Sequence, residues 1–155
     1  MFDVTQENLR QYFASIWRKK EVAQMEASEK RVLAIILEHP EYQVILENIE
    51  RYIGKQWIAG QGETNPFLHM SLHLSLQEQC AINQPEGVVE IYHALLKKYD
   101  DRHMVEHLMM DALSEMIWQA QNNHVGFDVN LYFTLLRKKL GLSEEEHIRL
   151  NPHEV

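Results

Sequence analysis

The stretch Asn65-Pro66-Phe67-Leu68-His69-Met70-Ser71-Leu72-His73-Leu74-Ser75-Leu76-Gln77 decides how this chain folds. Asn65 is a good N-cap, and Pro66 suits the first helical turn, where its missing N–H costs nothing. At about 100° per residue, His69 and His73 lie about 40° apart on one face of the helix that follows. Leu72, Leu76 and Cys80 flank that face on one side, and Phe67, Met70 and Leu74 flank it on the other. The polar arc, Ser71, Ser75, Glu78 and Gln79, falls elsewhere, so the histidines turn inward. A buried imidazole must find a partner, because an unpaired polar group in a core costs free energy. An i, i+4 histidine pair can meet that need by converging on one metal ion.

The same helical spacing governs the rest of the chain. Leu9, Phe13, Ile16 and Trp17 mark a first helix from about Thr5 to Gln24. Val32, Ile35 and Ile36 mark a second from Ser28, which stops at His39 because Pro40 disfavours a helical residue before it. Helical spacing resumes at Pro40 with Tyr42, Ile45, Leu46 and Ile49, then decays into the loop 54–63. After the Asn65 helix, which runs to about Asn83, come a helix over Pro85–Tyr99 and a long one capped by Asp101 and ending near Asn122. A last helix, about Asp128–Leu140, meets Gly141 as a C′ glycine. No segment alternates apolar and polar residues without also fitting a helix. The expected fold is all-α, a compact antiparallel bundle of about six helices, with residues 1–142 as one domain and 143–155 as an exposed tail.

The long helix repeats the histidine pattern. His103 and His107 share a face, Asp111 follows one turn later, and Ser114 lies in the same arc. The main apolar arc of that helix, Val105, Leu108, Met109, Ala112, Leu113, Met116 and Ile117, lies opposite. Trp118 and Met104 flank the histidine stripe, which suggests a helix with two buried faces. Glu106 is out of place at the edge of the apolar arc. Two helices bearing His69, His73, His103, His107 and Asp111 supply four nitrogens and a carboxylate, the donor set of a metal site in a bundle core. Zinc, iron and manganese would each accept it. His39, Glu78, Glu115 and His93 are spare ligands or outer partners. If such an ion were catalytic, it would lower the pKa of a bound water or, as iron, activate oxygen. No residue marks a substrate, and catalytic residues stay unassigned.

Other chemistries are absent from the sequence. There is no glycine-rich phosphate loop, no Gly-x-Ser-x-Gly and no His-Glu-x-x-His, so no nucleotide cofactor is expected. The net charge of -8 disfavours nucleic acid and anionic membranes, and the basic runs Arg18-Lys19-Lys20 and Arg137-Lys138-Lys139 are short. A single cysteine, Cys80, excludes an intrachain disulfide and fits a reducing, cytoplasmic setting. It falls on the buried arc, where a thiol is inert. The indoles of Trp17, Trp57 and Trp118 are expected to pack. The N-terminus lacks the basic and apolar regions of a signal peptide, and no apolar run is long enough to span a bilayer. The alternative to a metal centre is a non-enzymatic adaptor or homodimer, its histidines joined to Glu106, Asp111 and Gln77 in a polar network that fixes helix register.

The segments His39-Pro40-Glu41-Tyr42, Asn65-Pro66-Phe67-Leu68-His69 with Glu78-Gln79, and His103 through Trp118-Gln119-Ala120-Gln121 together resemble the small proteobacterial proteins grouped as the domain of unknown function numbered 1841. The resemblance runs from about Phe2 to Leu140. It implies a small helical bacterial protein and no particular activity. Members often carry a second histidine where this chain has Gln43, which counts against His39 as a ligand, and some carry Glu in place of Asp111.

Overall fold

The computed structural model describes residues 5–19, 21–57 and 64–141. Their secondary structure is all-α, with no strand among the described residues. The helices are α1 (Gln6–Lys19), α2 (Ala27–Leu37), α3 (Pro40–Glu47), α4 (Ile49–Tyr52), α5 (Pro66–Ile82), α6 (Val88–Tyr99), α7 (Arg102–Asn122) and α8 (Val129–Gly141). These eight among the described residues exceed the expected count of about six; against the seven stretches of helical spacing in the sequence, the additional one arises because the third breaks at Asn48 (φ -118, ψ 40), which separates α3 from α4. The chain forms two compact units, Met1–Leu74 and Ser75–Val155, and the division falls inside α5. The proposed tail, 143–155, lies outside the described residues.

In the first unit, α1 packs against α2, α3 and α4. Phe13, Ala14, Ile16 and Trp17 on α1 close over Val32, Ile35 and Ile36 on α2, with Leu46, Ile49, Phe67, Met70 and Leu74 completing the core. The α1 helix stops at Lys19, short of Gln24, and Val22–Gln24 forms a separate 3-10 turn. A reciprocal capping box starts α2: the Glu29 carboxylate accepts from the Glu26 backbone N–H at 3.1 Å, and the Glu26 side chain accepts from the backbone of Glu29.

Arg10 is the unusual element of this unit. It is 3% exposed, yet its guanidinium donates to neutral oxygens. Nη1 donates to the carbonyls of Tyr52 (2.7 Å), Ile53 (3.0 Å) and Lys55 (2.8 Å), at the end of α4 and in the turn that follows it. The guanidinium plane lies between the rings of Trp57, 5.1 Å away, and Phe67, 5.0 Å away. A cation at a helix C-terminus is favoured by the helix dipole, and aromatic faces stabilise it further. One side chain thus ties α1 to the end of α4 and to the start of α5.

In the second unit, α6, α7 and α8 pack on one another. The α7 helix spans Arg102–Asn122 as expected, with the Asp101 carboxylate accepting from the Met104 N–H at 3.1 Å. Its expected apolar arc is buried except for Ile117. Trp118 departs from expectation: it is 60% exposed and does not pack into a second buried face. The α6 helix begins at Val88 rather than Pro85, because Gly87 adopts φ 101 and cannot be part of a right-handed helix. At its other end Lys98 and Tyr99 donate to the carbonyls of Leu140 (2.7 Å) and Lys139 (3.2 Å) and so satisfy the last turn of α8.

Replacing Arg10 with Met removes a side-chain donor from three carbonyls at a part-buried helix end. The expected loss is about 2–4 kcal/mol in urea-induced unfolding, far more than a surface Arg would cost. Arg18→Met, at an exposed position of the same helix, is the control and should change stability by less than about 0.5 kcal/mol.

Candidate metal centre

The first unit brings three imidazoles together. His39 comes from the junction of α2 and α3, and His69 and His73 come from the first two turns of α5. The α5 start that sets their position is built as its sequence requires: the Asn65 side-chain oxygen accepts from the N–H groups of Phe67 (3.0 Å) and Leu68 (3.2 Å). Pro66 and Phe67 are buried, and Phe67 stacks on Phe13 of α1 at 6.3 Å, which fixes the rotation of α5 about its axis. His73 is then 1% exposed and His69 half-buried.

The ring centroids form a near-equilateral triangle: 5.1 Å between His39 and His69, 5.0 Å between His39 and His73, and 4.8 Å between His69 and His73. The rings meet at 74°, 58° and 70°, so they turn edges toward one another instead of stacking. Each offers a ring nitrogen within 4.8 Å of the others. His69 Nε2 and His73 Nε2 are 3.2 Å apart. That separation suits an N–H···N hydrogen bond, and it also suits two ligands of one ion: tetrahedral coordination at metal–nitrogen distances of about 2.0–2.1 Å places them roughly 3.3–3.4 Å apart.

His39 is 5% exposed, and its Nδ1 lies 2.7 Å from the carbonyl oxygen of Ile35. A carbonyl only accepts, so Nδ1 carries a proton, and in the neutral ring the lone pair is then on Nε2. The ring of Tyr42, one turn into α3, stacks parallel on His39 at 5.2 Å and meets His69 edge-on at 6.1 Å. Burial, with a smaller contribution from the Glu41 charge, pushes the Tyr42 phenol above its ordinary pKa. The sequence reading makes His39 a spare donor, yet the fold of this unit sets it beside His69 and His73. Its signal was its place before Pro40: a residue that ends one helix and caps the next is held rigidly, and a rigid buried imidazole is a good ligand.

The second unit carries the other expected donors. His103 and His107 face each other on α7 with ring centroids 4.3 Å apart. His103 is exposed, His107 and Asp111 are half-buried, and Asp111 sits one turn beyond His107. The spare donors Glu78, His93 and Glu115 are exposed. Glu106, out of place in the sequence, proves to be buried at 6% exposure. It accepts from Gln77 Nε2 at 2.9 Å and from Arg102 Nη1 at 3.3 Å, so one edge of the expected polar network, Gln77 to Glu106, is present. Near it, burial first and the Glu106 charge second push the Cys80 thiol and the Tyr92 phenol above their ordinary pKa values. Tyr132, fully buried, donates to Gln79 Oε1 at 2.9 Å.

Among known families, residues 5–138 match the one described as Domain of unknown function (DUF1841), and the chain belongs to that family. No curated protein and no solved structure matches the chain.

The Cys80 environment makes a kinetic prediction. A thiol with a raised pKa holds little thiolate at neutral pH, so alkylation by iodoacetamide should be slower than for a free cysteine and should accelerate as pH rises past the ordinary thiol range. Glu106→Gln removes the negative charge while keeping an acceptor for Gln77, and should shift the rate profile toward lower pH. A profile unmoved by that substitution would mean that the carboxylate does not act on the thiol.

Proposed function

We propose that this DUF1841 protein is a transition-metal-binding helical protein, with the ion held by the imidazoles of His39, His69 and His73. The observation that carries the reading is the triangle itself: three rings on separate turns, two of them buried, set edge to edge with ring nitrogens close enough to share one ion. Core histidines that merely pack have no reason to aim nitrogens at a common point. The α7 stripe of His103, His107 and Asp111 is proposed as a second donor set, on the sequence grounds of an i, i+4 pair with a carboxylate in line. The cytoplasm is the proposed setting, since the thiol chemistry of Cys80 suits a reducing compartment. Among the described residues no helix is long and apolar enough to cross a membrane.

A second reading draws on the same contact. The 3.2 Å separation of His69 Nε2 and His73 Nε2 equally suits a direct hydrogen bond, and Gln77, Glu106 and Arg102 form a polar network in the second unit. Under it the protein is a helical adaptor or homodimer whose histidines set helix register.

The two separate cleanly. The protein, purified without a histidine tag, should carry a transition metal at stoichiometric level by plasma mass spectrometry. His69→Ala should abolish it, and His107→Ala asks whether α7 contributes. Chelation should lower Tm: an ion present at 100 times its Kd stabilises by about 2.7 kcal/mol, and each kcal/mol is worth roughly 2–4 °C in a chain of this size. Metal-free protein with a melting curve indifferent to chelator and to added zinc or iron supports the adaptor instead.

A further inference from the structure

The chemistry of the donors narrows the ion. Among the described residues, the converging group of ligand-type side chains consists of histidines, with no carboxylate and no thiolate in it. A neutral imidazole brings a lone pair and no charge. Magnesium, calcium and manganese ions are bound chiefly through the charge and hardness of oxygen donors, so an all-imidazole set offers them little in exchange for their water. Zinc, cobalt(II), nickel and copper(II) gain from σ-donation by nitrogen and keep that gain without a neutralising anion.

His39 adds an atomic detail. Its Nδ1–H is committed to the Ile35 carbonyl at 2.7 Å, an acceptor in the last turn of α2 that a backbone donor alone would leave half used. That bond selects, in the neutral ring, the tautomer whose lone pair is on Nε2, and it holds the ring in orientation as a carbonyl behind a metal-bound histidine does. The Tyr42 ring, parallel to His39 within 1°, blocks rotation from the other side. His39 is therefore oriented before any ion arrives, and the nitrogen that bears its lone pair is Nε2.

We infer that the ion belongs to the nitrogen-preferring divalent class, zinc and its late first-row neighbours, with manganese, magnesium and calcium excluded, and that His39 takes it through Nε2. This rests on the metal-binding reading above and goes past it in naming the ion class and the binding atom.

The test uses the full chain, tag-free and stripped by chelator, titrated with zinc, cobalt(II), manganese and magnesium chloride by calorimetry. Zinc and cobalt should bind at least about 100-fold more tightly than manganese, and magnesium should give no heat. His39→Ala should weaken zinc at least about tenfold. Long-range proton–nitrogen correlation of histidine-labelled wild-type protein gives a readout independent of that variant's folding: the His39 ring should be the Nδ1–H tautomer before zinc is added, and its Nε2 should move on loading. Manganese or magnesium binding as tightly as zinc, with both lost in His69→Ala, would overturn the ion class and leave metal binding intact. Zinc binding with His39 in the Nε2–H tautomer, or unchanged in a folded His39→Ala, would overturn the role of His39 alone. No heat with any ion would remove the metal-binding reading and this inference with it.

Discussion

Everything distinctive about this structure follows from burying imidazole nitrogen on an apolar helix. His73 is shut away from water on α5, with the rings of His69 and His39 beside it. A ring nitrogen in such a place needs a proton donor, a proton acceptor or an ion, and the desolvation cost of leaving it with none is comparable to a whole hydrogen bond. The fold answers by bringing His69 from one turn below and His39 from the end of α2. The rigidity of both approaches, through the Asn65 cap on one side and the Ile35 carbonyl on the other, is what turns a packing solution into a set of aimed donors.

The scaffold around these donors is locked by polar side chains acting on backbone ends. Arg10 gathers the carbonyls that close α4, Asn65 satisfies the N–H groups that open α5, and Lys98 with Tyr99 does the same for the end of α8. Each contact replaces water at a helix terminus, where four backbone groups otherwise lack partners. Short helices of this kind gain little from intrinsic propensity, so such contacts, together with the burial of one apolar face, decide where they begin and stop. Glu106 obeys the same economy of satisfied groups: Gln77 and Arg102 both reach its buried carboxylate.

The all-α class was legible from periodicity alone, and the bounds of α5 and α7 were legible from their caps. Those caps are local: Asn65 and Asp101 act on residues two or three positions away, so their effect is written in the adjacent sequence. The inward turn of His69 and His73 was legible for the same reason, as a matter of angle on one helix. His39 as their neighbour was not, because its approach depends on how α2 and α3 pack against α5, and the Gln43 comparison pointed the other way. The late start of α6 was missed because Pro85 is an adequate helix opener and only the backbone conformation of Gly87 forbids it. Trp118 was read inward from its wheel position, whereas no neighbouring element of its own unit covers it. The interval between cap and wheel logic, which are local, and tertiary approach, which is not, accounts for each of these.

X-ray absorption at the metal edge of the protein as purified tests the account most directly, because it reads the donors around the ion. An absorption edge of zinc or a late first-row neighbour is predicted, with a first shell of nitrogen at about 2.0–2.1 Å and the outer-shell scattering that imidazole rings give. A first shell of oxygen alone, or one containing sulfur, or no metal edge at all, would contradict it.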